Sequence, residues 1–596
     1  MEKSRRTECA VVRVLCLILV SLLPLARAQA EADRWSNVER VIAFADVHGA
    51  YDDLTQLLRS VGVVDGELHW AAGTAHVVST GDLMDRGPGS RQVMDLLMRL
   101  QTEARAAGGM LHVVLGNHEA MNLLGDLRYV TPAEFAAYKA EDPAVLPDNT
   151  HPPGFFGKRA AFARDGQYGR WLLSLPVAII INDTLFMHGG PSSVLAGLSI
   201  EEVNQRYRAA LSSVESLEAA DQNPLLGHDG PNWYRGAALC NEASETDVLK
   251  PVMDGLGVKR VVIGHTITRN LRVVSRFDGT VVKLDTGMNR PVYKGHPAAL
   301  VLDRGNVRVM YAEGGQPASV PAEPLFVASS KLDDAAIASI LTNGTVTVSG
   351  PRGTGASDVV VEQDGKRVPA VFAQSSAAAI RKNLAAYRLD RALRLGLVPA
   401  TVQREVNGKT GILQARPERW VTQAEVEQKS LRQGGWCALE PQFQLMYAFD
   451  ALIGNEGRTR DRILYDDAEW MLLLTGHEQA FGTSKGLPRH LRETPPRPGP
   501  EMQRRLALLD QAALTQALGD LLKDRERTAL LARRDLLLAN PKVARGFHAI
   551  DVARNDSHGD VGGQIARESA DERAFPHLEA QPFRQWAAVS HQGPQP

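Results

Sequence analysis

Between positions 37 and 313, short apolar runs alternate with stretches whose apolar residues recur at helical spacing. The runs are 41–45, 75–79, 110–115, 178–181, 185–187 and 260–263, and each reads as a buried strand. Between them, Leu54, Leu57, Leu58 and Val61 mark one amphipathic helix, and Val93, Leu96, Leu97 and Leu100 mark another. Alternating strands and amphipathic helices predict a layered α/β architecture.

A different pattern fills 325–539. A Gly-containing hairpin is expected over 345–361, a strand at 368–372, helices at 384–397 and 443–452, and short strands at 462–465 and 470–474. Segment 314–324 holds a Gly-Gly pair and two prolines and reads as a linker. The tail 540–596 is poor in aliphatic residues and reads as loose. The expected organisation is therefore 1–28, 37–313, 314–324, 325–539 and 540–596.

The first of these segments is a leader. Lys3, Arg5 and Arg6 precede an apolar run over 14–23, and Ala26-Arg27-Ala28 offers a small-x-small cleavage site. This is the grammar of a secretory signal peptide, so the mature chain is expected in the periplasm or outside the cell. An uncleaved anchor and twin-arginine export through Arg5-Arg6 stay open as alternatives to the general route. No later segment reaches 18 consecutive apolar residues, so no membrane span is expected in the mature chain.

Composition narrows the classes further. The chain has 596 residues, of which 44% are hydrophobic and 23% charged, which fits globular domains and excludes a largely disordered chain. A formal charge of −2 gives no basic field for nucleic acid. Cys240 and Cys437 are the only cysteines beyond the leader, too few for a disulfide framework; a single bridge between them stays open, and two buried or free thiols are expected.

The chemistry sits where the apolar runs end. Run 41–45 leads into Asp46-Val47-His48-Gly49, and run 75–79 into Gly81-Asp82-Leu83-Met84-Asp85-Arg86-Gly87. Run 110–115 leads into Gly116-Asn117-His118-Glu119, 185–187 into His188-Gly189-Gly190, and 260–263 into Gly264-His265-Thr266. Singly, each is a turn or a helix cap. Five in order, all at strand ends, point to one site outside the carboxyl edge of a sheet. Aspartates and histidines offer mixed oxygen and nitrogen donors, suited to a pair of Mn, Fe or Zn ions rather than Ca or Mg. Asp82, central in the series, is the natural bridge between two ions that share an activated water. Arg86, just beyond it, can fork onto phosphate oxygens.

The order D-x-H-G, G-D-x-x-D-R-G, G-N-H-E, H-G-G, G-H-T resembles the phosphoprotein phosphatase family of metallophosphoesterases. The run Gly116 to Val130, with Asn232-Trp233-Tyr234-Arg235-Gly236, resembles its Shewanella-like branch. The resemblance covers 38–312. It implies a metallophosphoesterase β-sandwich flanked by helices, two divalent metal ions, and phosphoproteins or phosphopeptides as substrates with a leaning to phosphotyrosine. It also implies roles. Asp46, His48 and Asp82 would hold one metal, and Asp82, Asn117, His188 and His265 the other. His118 would protonate the leaving oxygen with Asp85 behind it, and Arg86 and Arg235 would clamp the phosphoryl group.

In the second half, segments 385–390, 398–402 and 449–455 resemble an α+β kinase-like fold of the phosphatidylinositol-kinase-like and HipA-like group. The positions that would carry phosphotransfer read Ala373, Asn383, Gly457, Arg462 and Gly476. Ala and Gly neither pair with phosphate nor hold Mg²⁺, so a pseudokinase that docks or regulates through an unknown protein partner is expected. A register shift offers Glu456, Asp461 and Glu478 instead. Two further readings stay open: a non-catalytic scaffold, and a phosphatase for nucleotides or other small phosphoesters.

Overall fold

The computed structural model describes residues 33–145, 150–353 and 355–539, so the leader 1–28 and the tail 540–596 lie outside the described residues. The described chain divides into two compact units, one of 33–234 with 252–321 and one of 235–251 with 322–539.

The first unit is built on twelve strands: β1 (Arg34–Trp35), β2 (Arg40–Phe44), β3 (His76–Ser79), β4 (Met110–Val113), β5 (Ala178–Ile181), β6 (Thr184–Met187), β7 (Arg260–Ile263), β8 (Val274–Arg276), β9 (Val281–Lys283), β10 (Ala298–Asp303), β11 (Asn306–Tyr311) and β12 (Ala318–Ser319). They form two six-stranded sheets, ordered β1-β5-β6-β7-β9-β8 and β12-β11-β10-β2-β3-β4. Val41, Ala43, Val78 and Leu300 of the second sheet meet Ile179, Phe186, Val262 and Val282 of the first in one buried cluster. The intervening residues Ile42 and Phe44 are buried as well, which explains why these runs read as continuous rather than alternating. Helices α1 (Tyr51–Ser60) and α2 (Ser90–Ala106) carry the expected Leu54, Leu57, Leu58, Val93, Leu96, Leu97 and Leu100 on their buried faces, and α2 packs on β4. A short third helix, α3 (Asn117–Leu124), starts directly after β4.

Several boundaries differ from expectation. The run 110–115 leaves the sheet after Val113, because the Leu115 amide turns to the Pro176 carbonyl at 2.9 Å. Segment 314–324 is not a free linker. Ala318–Ser319 pairs with β11, and the Ser275 amide donates to the Pro321 carbonyl at 2.8 Å. Strands β8 and β9 are three residues each, too short to show a period.

The second unit has an antiparallel sheet of β13 (Thr345–Pro351), β14 (Ala356–Gln363), β15 (Lys366–Gln374), β17 (Lys409–Ala415) and β16 (Thr401–Val406), in that spatial order. A smaller sheet joins β18 (Trp420–Thr422), β19 (Ile463–Asp466) and β20 (Leu472–Leu474). Helices α4 (Ala377–Ala392), α5 (Leu439–Ile453) and α6 (Asp524–Leu538) bury Leu389, Phe449, Leu452 and Leu530 in a common core. The helix expected at 384–397 starts earlier, where the Ser376 hydroxyl accepts the Ala379 amide as an N-cap.

Segment 235–251 belongs to this unit rather than to the first, interrupting the continuous domain read from sequence. The expectation of two separate thiols is also corrected. Cys240 and Cys437 form a disulfide with their Cα atoms 5.4 Å apart, across a sequence separation of 197 that leaves no local signal.

Candidate active site

The strand ends of the first unit deliver the expected residues to one place. Asp46 and His48 follow β2, Asp82, Asp85 and Arg86 follow β3, and Asn117 and His118 open α3 after β4. His188 follows β6 and His265 follows β7. Asp46, His48, Asp82, Asp85, Arg86 and His265 all have positive φ, between 39° and 68°. Left-handed backbone is unfavourable for side chains with a Cβ, and its concentration here marks turns shaped for a site rather than for stability. The loops touch so closely that a Cβ on Gly81 would come within 2.5 Å of the Gly116 amide, and a Cβ on Gly116 would overlap the Asp82 carboxylate. Glu119 ties these loops together. Its carboxylate accepts the amides of Asp82 (2.9 Å), Leu83 (2.8 Å) and Gly116 (2.7 Å).

The ligand-type atoms form two trios. Those of His48, Asp82 and His118 lie within 4.8 Å of one another, as do those of Asp82, His188 and His265, so Asp82 is common to both. Asp46 is in neither trio. Its carboxylate accepts the His265 amide at 3.0 and 3.2 Å and lies against Asp285.

Hydrogen bonds set the tautomers. The carbonyls of Met84 and Thr80 take the Nδ1 protons of His48 (3.0 Å) and His188 (2.9 Å), and the Trp233 carbonyl takes the Nε2 proton of His265 (3.1 Å). Each ring therefore keeps one nitrogen lone pair for the site. His188 Nε2, a lone pair, faces Asn117 Oδ1 at 2.8 Å and Asp82 Oδ2 at 3.2 Å. Three lone-pair atoms converging with no proton between them fit a cation.

The charges agree. Burial, together with the charges of His118 and Arg86, pushes His48 down to about 3, so its ring is neutral as a ligand must be. Burial would raise Asp82, but the charged His118 beside it draws it down, below the usual carboxylate range. Burial and the neighbouring carboxylates Asp285 and Asp82 raise Asp46, and burial raises Asp285 to about 6 and Glu119 to about 7. Acids crowded out of water in this way favour either a bound proton or positive charge among them.

His118 is set apart from the other rings. Its Nδ1 is bonded to a carboxylate, Asp85 Oδ2 at 2.6 Å, and its Nε2 lies 3.8 Å from Asp82 Oδ2. Burial disfavours the charged ring, yet Asp82 and Asp85 hold its pKa up at about 9, which keeps a proton available for donation. Arg86 Nη2 lies 3.4 Å from His118 Nε2, and the guanidinium is flanked by the rings of Tyr129 (4.8 Å) and Tyr293 (5.7 Å). Arg235 belongs to the second unit, and there its guanidinium lies 5.0 Å from the Trp436 ring centre.

Asp285, Asn122, Tyr129 and Tyr293 were not singled out from sequence. Asp285 carries the same strand-end signal as the others, hidden because Lys283 breaks the apolar run before it. Asn122 stands four residues after His118, on the same helical face. Tyr129 lies within the run Gly116 to Val130, which gave it no role, and Tyr293 carries no local signal.

Sheet sandwich, strand-end loops and paired donor trios together define a metal-dependent phosphoester hydrolase. The model of the calcineurin-like phosphoesterase family matches residues 39–269. An uncharacterised protein of Schizosaccharomyces pombe is 33% identical over 273 residues, 45% of this chain and 78% of that one. Shewanella-like protein phosphatase 2 of Arabidopsis thaliana is 27% identical over 312 residues, 46% of this chain and 78% of that one. Among solved structures, the cold-active protein-tyrosine phosphatase of a psychrophilic Shewanella species is 32% identical at a TM-score of 0.42, covering 48% of this chain and 82% of that one. The chain belongs to the calcineurin-like metallophosphoesterases, with Shewanella-like protein phosphatases among its homologues. Enzymes of this family use two divalent metal ions.

In the second unit, three of the five positions read against a kinase, Gly457, Arg462 and Gly476, lie side by side. Arg462 Nη1 donates to the carbonyls of Gly457 (3.1 Å) and Gly476 (3.4 Å), and its guanidinium pairs with Glu478. Asn383 accepts the His477 amide at 3.1 Å, and Ala373 lies in β15. Of the alternative acids, Glu456 accepts the Arg489 amide and Asp461 is exposed.

Proposed function

We propose that the protein is an exported phosphatase acting on phosphoproteins, with phosphotyrosine preferred, and that its second unit docks or regulates without transferring phosphate. The observation that carries the reading is the convergence of His48, His188 and His265 on Asp82, with the His118–Asp85 pair and Arg86 alongside.

Two divalent cations, held by Asp46, His48, Asp82, Asn117, His188 and His265, would supply Lewis-acid charge and an acidified water at neutral pH. The chain's own residues do the rest. Arg86 orients the phosphoryl oxygens. His118, charged and backed by Asp85, gives its Nε2 proton to the leaving oxygen. Glu119 fixes the loops that aim Asp82 and Asn117. Arg235 stays in the proposal as a second clamp, supported by the resemblance of the run Asn232 to Gly236 alone.

The phosphotyrosine preference is supported by the two tyrosine rings that flank Arg86, since an aryl leaving group can pack against aromatic faces. Export is supported by the leader and by the disulfide, which persists in oxidising compartments. A regulatory second unit is supported by the Arg462 guanidinium, which sits among Gly457, Gly476 and Glu478 where Mg²⁺ and its carboxylates would be needed.

The test is phosphate release by the Mn²⁺-loaded full chain from phosphotyrosine, phosphoserine and phosphothreonine peptides and from nucleotides. Turnover fastest on phosphotyrosine supports the proposal. Turnover on nucleotides alone overturns the protein-phosphatase reading, and no turnover on any of them overturns the whole.

A further inference from the structure

The pair His118–Asp85 has a third member. Asn122 lies one turn beyond His118 in α3, with its side chain fully buried. Its amide nitrogen faces Asp85 Oδ1 at 3.0 Å, Asp85 Oδ2 at 3.1 Å and the His118 carbonyl at 2.9 Å. The same Asp85 Oδ2 takes the His118 Nδ1 proton at 2.6 Å. The carboxylate is thus gripped by two residues of one helical turn.

Local structure does not explain this residue. Asn is a poor helix former, and a buried helical position favours Ala or Leu. Its amide oxygen has no partner among the described residues, although it is shut away from water, and such an unpaired group is unfavourable. Asn122 is costly to the fold on both counts, and what it brings is an NH₂ group on Asp85. Asp85 is itself fully buried, so bulk solvent supplies it no donor, and a buried carboxylate calls for hydrogen-bond partners.

We propose that Asn122 is a positioning residue for phosphoester hydrolysis: it holds the plane of the Asp85 carboxylate, so that His118 keeps its Nδ1 proton on Asp85 and points Nε2 at the leaving oxygen. This rests on the functional reading above. In that reaction water oxygen bonds to phosphorus, the ester P–O bond breaks, and the His118 Nε2 proton goes to the leaving oxygen. One proton of the attacking water is released and later restores His118. The products are the alcohol or phenol and hydrogen phosphate.

A residue that serves proton donation reveals itself through the leaving group. The phenol of tyrosine, with a pKa of about 10, needs the proton, whereas para-nitrophenolate departs well without it. Full-length Mn²⁺-loaded protein is compared with Asn122→Ala and Asn122→Leu on a phosphotyrosine peptide and on para-nitrophenyl phosphate. In both variants kcat on the peptide is expected to fall about 100-fold. On para-nitrophenyl phosphate it should fall less than about 5-fold, with KM for both substrates within about 2-fold of the parent. Asn122→Leu keeps the size and removes the donor, so it separates hydrogen bonding from packing. Equal losses on both substrates, no loss, or a fully active Asn122→Leu overturns the inference. So does failure of both variants to fold with their metals, since Asn122 is then structural. If the parent enzyme turns over neither substrate, the functional reading itself fails. A parent that is active with variants that do not discriminate sinks this inference alone.

Discussion

Lys158 Nζ lies 2.6 Å from Glu134 Oε1, and both side chains are fully buried in the first unit. The ammonium also faces the ring of Phe162 at 4.2 Å. Removing one partner leaves an uncompensated buried charge, typically costing about 3–5 kcal/mol. Lys158→Met is therefore expected to destabilise the first unit by that order, measured by urea unfolding. Adding Glu134→Leu should recover more than half of the loss. A single variant as stable as the parent would contradict the burial of this pair.

Asp82 belongs to both donor trios. Asp82→Asn keeps the size of the side chain and removes a negative charge from each trio. Metal bound per chain, read by elemental analysis after dialysis, is expected to fall from two to below one, with turnover lowered at least about 1,000-fold. Retention of two metals would show that Asp82 does not bridge.

Tyr129 and Tyr293 flank the Arg86 guanidinium. Tyr129→Ala and Tyr293→Ala should each lower kcat/KM for a phosphotyrosine peptide about 10-fold more than for a phosphoserine peptide, since an aromatic contact is worth about 0.5–1.5 kcal/mol. Equal losses on both peptides would assign the rings to holding Arg86 alone.

His112 in β4 lies 3.0 Å from the ring of His76 and 4.3 Å from the centroid of Trp35. Burial, with the charges of His76 and Arg105, pushes it down to about 3. The unfolded chain takes up this proton near pH 6.5 and the folded chain does not, so the unfolded state binds more protons between those values. Stability is then fully present above pH 6.5 and lost as pH falls toward 3. Between pH 7 and 5 this one group should remove about 2 kcal/mol, and His112→Phe should flatten that part of the unfolding curve against pH. An unchanged slope in the variant would show that other groups carry the dependence.

Cys240 and Cys437 close a long loop within the second unit. Reduction, or Cys437→Ser, is expected to destabilise that unit by about 2–4 kcal/mol. The measurement is the thermal midpoint of the second unit with and without a dithiol, with Cys437→Ser as the variant that should no longer respond.

Much of the site was legible because its signal is local. A strand that ends in Asp-x-His-Gly or Gly-Asn-His-Glu carries its ligand, its glycine turn and its buried run within ten residues, and Asp46, His48, Asp82, Asn117, His188 and His265 were all named on that basis. The same applies to helices α1 and α2, whose leucine and valine spacing is their own evidence. Strands β8 and β9 gave no such signal, and Asp285 at the end of β9 went unread with them.

The chain order alone determined that acids, imidazoles and one arginine stand at the ends of buried strands, because the run and its turn are neighbours along the backbone. Only the folded arrangement decided that Cys240 meets Cys437, that 235–251 leaves the first unit, that Lys158 answers Glu134, and that Asn122 and the two tyrosines surround the His118–Asp85–Arg86 group. Asn122, Tyr129 and Arg235 stand within quoted runs, but those runs do not say what they meet, and Cys240, Cys437, Lys158, Glu134 and Tyr293 follow no motif. Their contacts come from packing elements that are far apart along the chain, and hydrophobic periodicity says which face is buried, not what that face will meet.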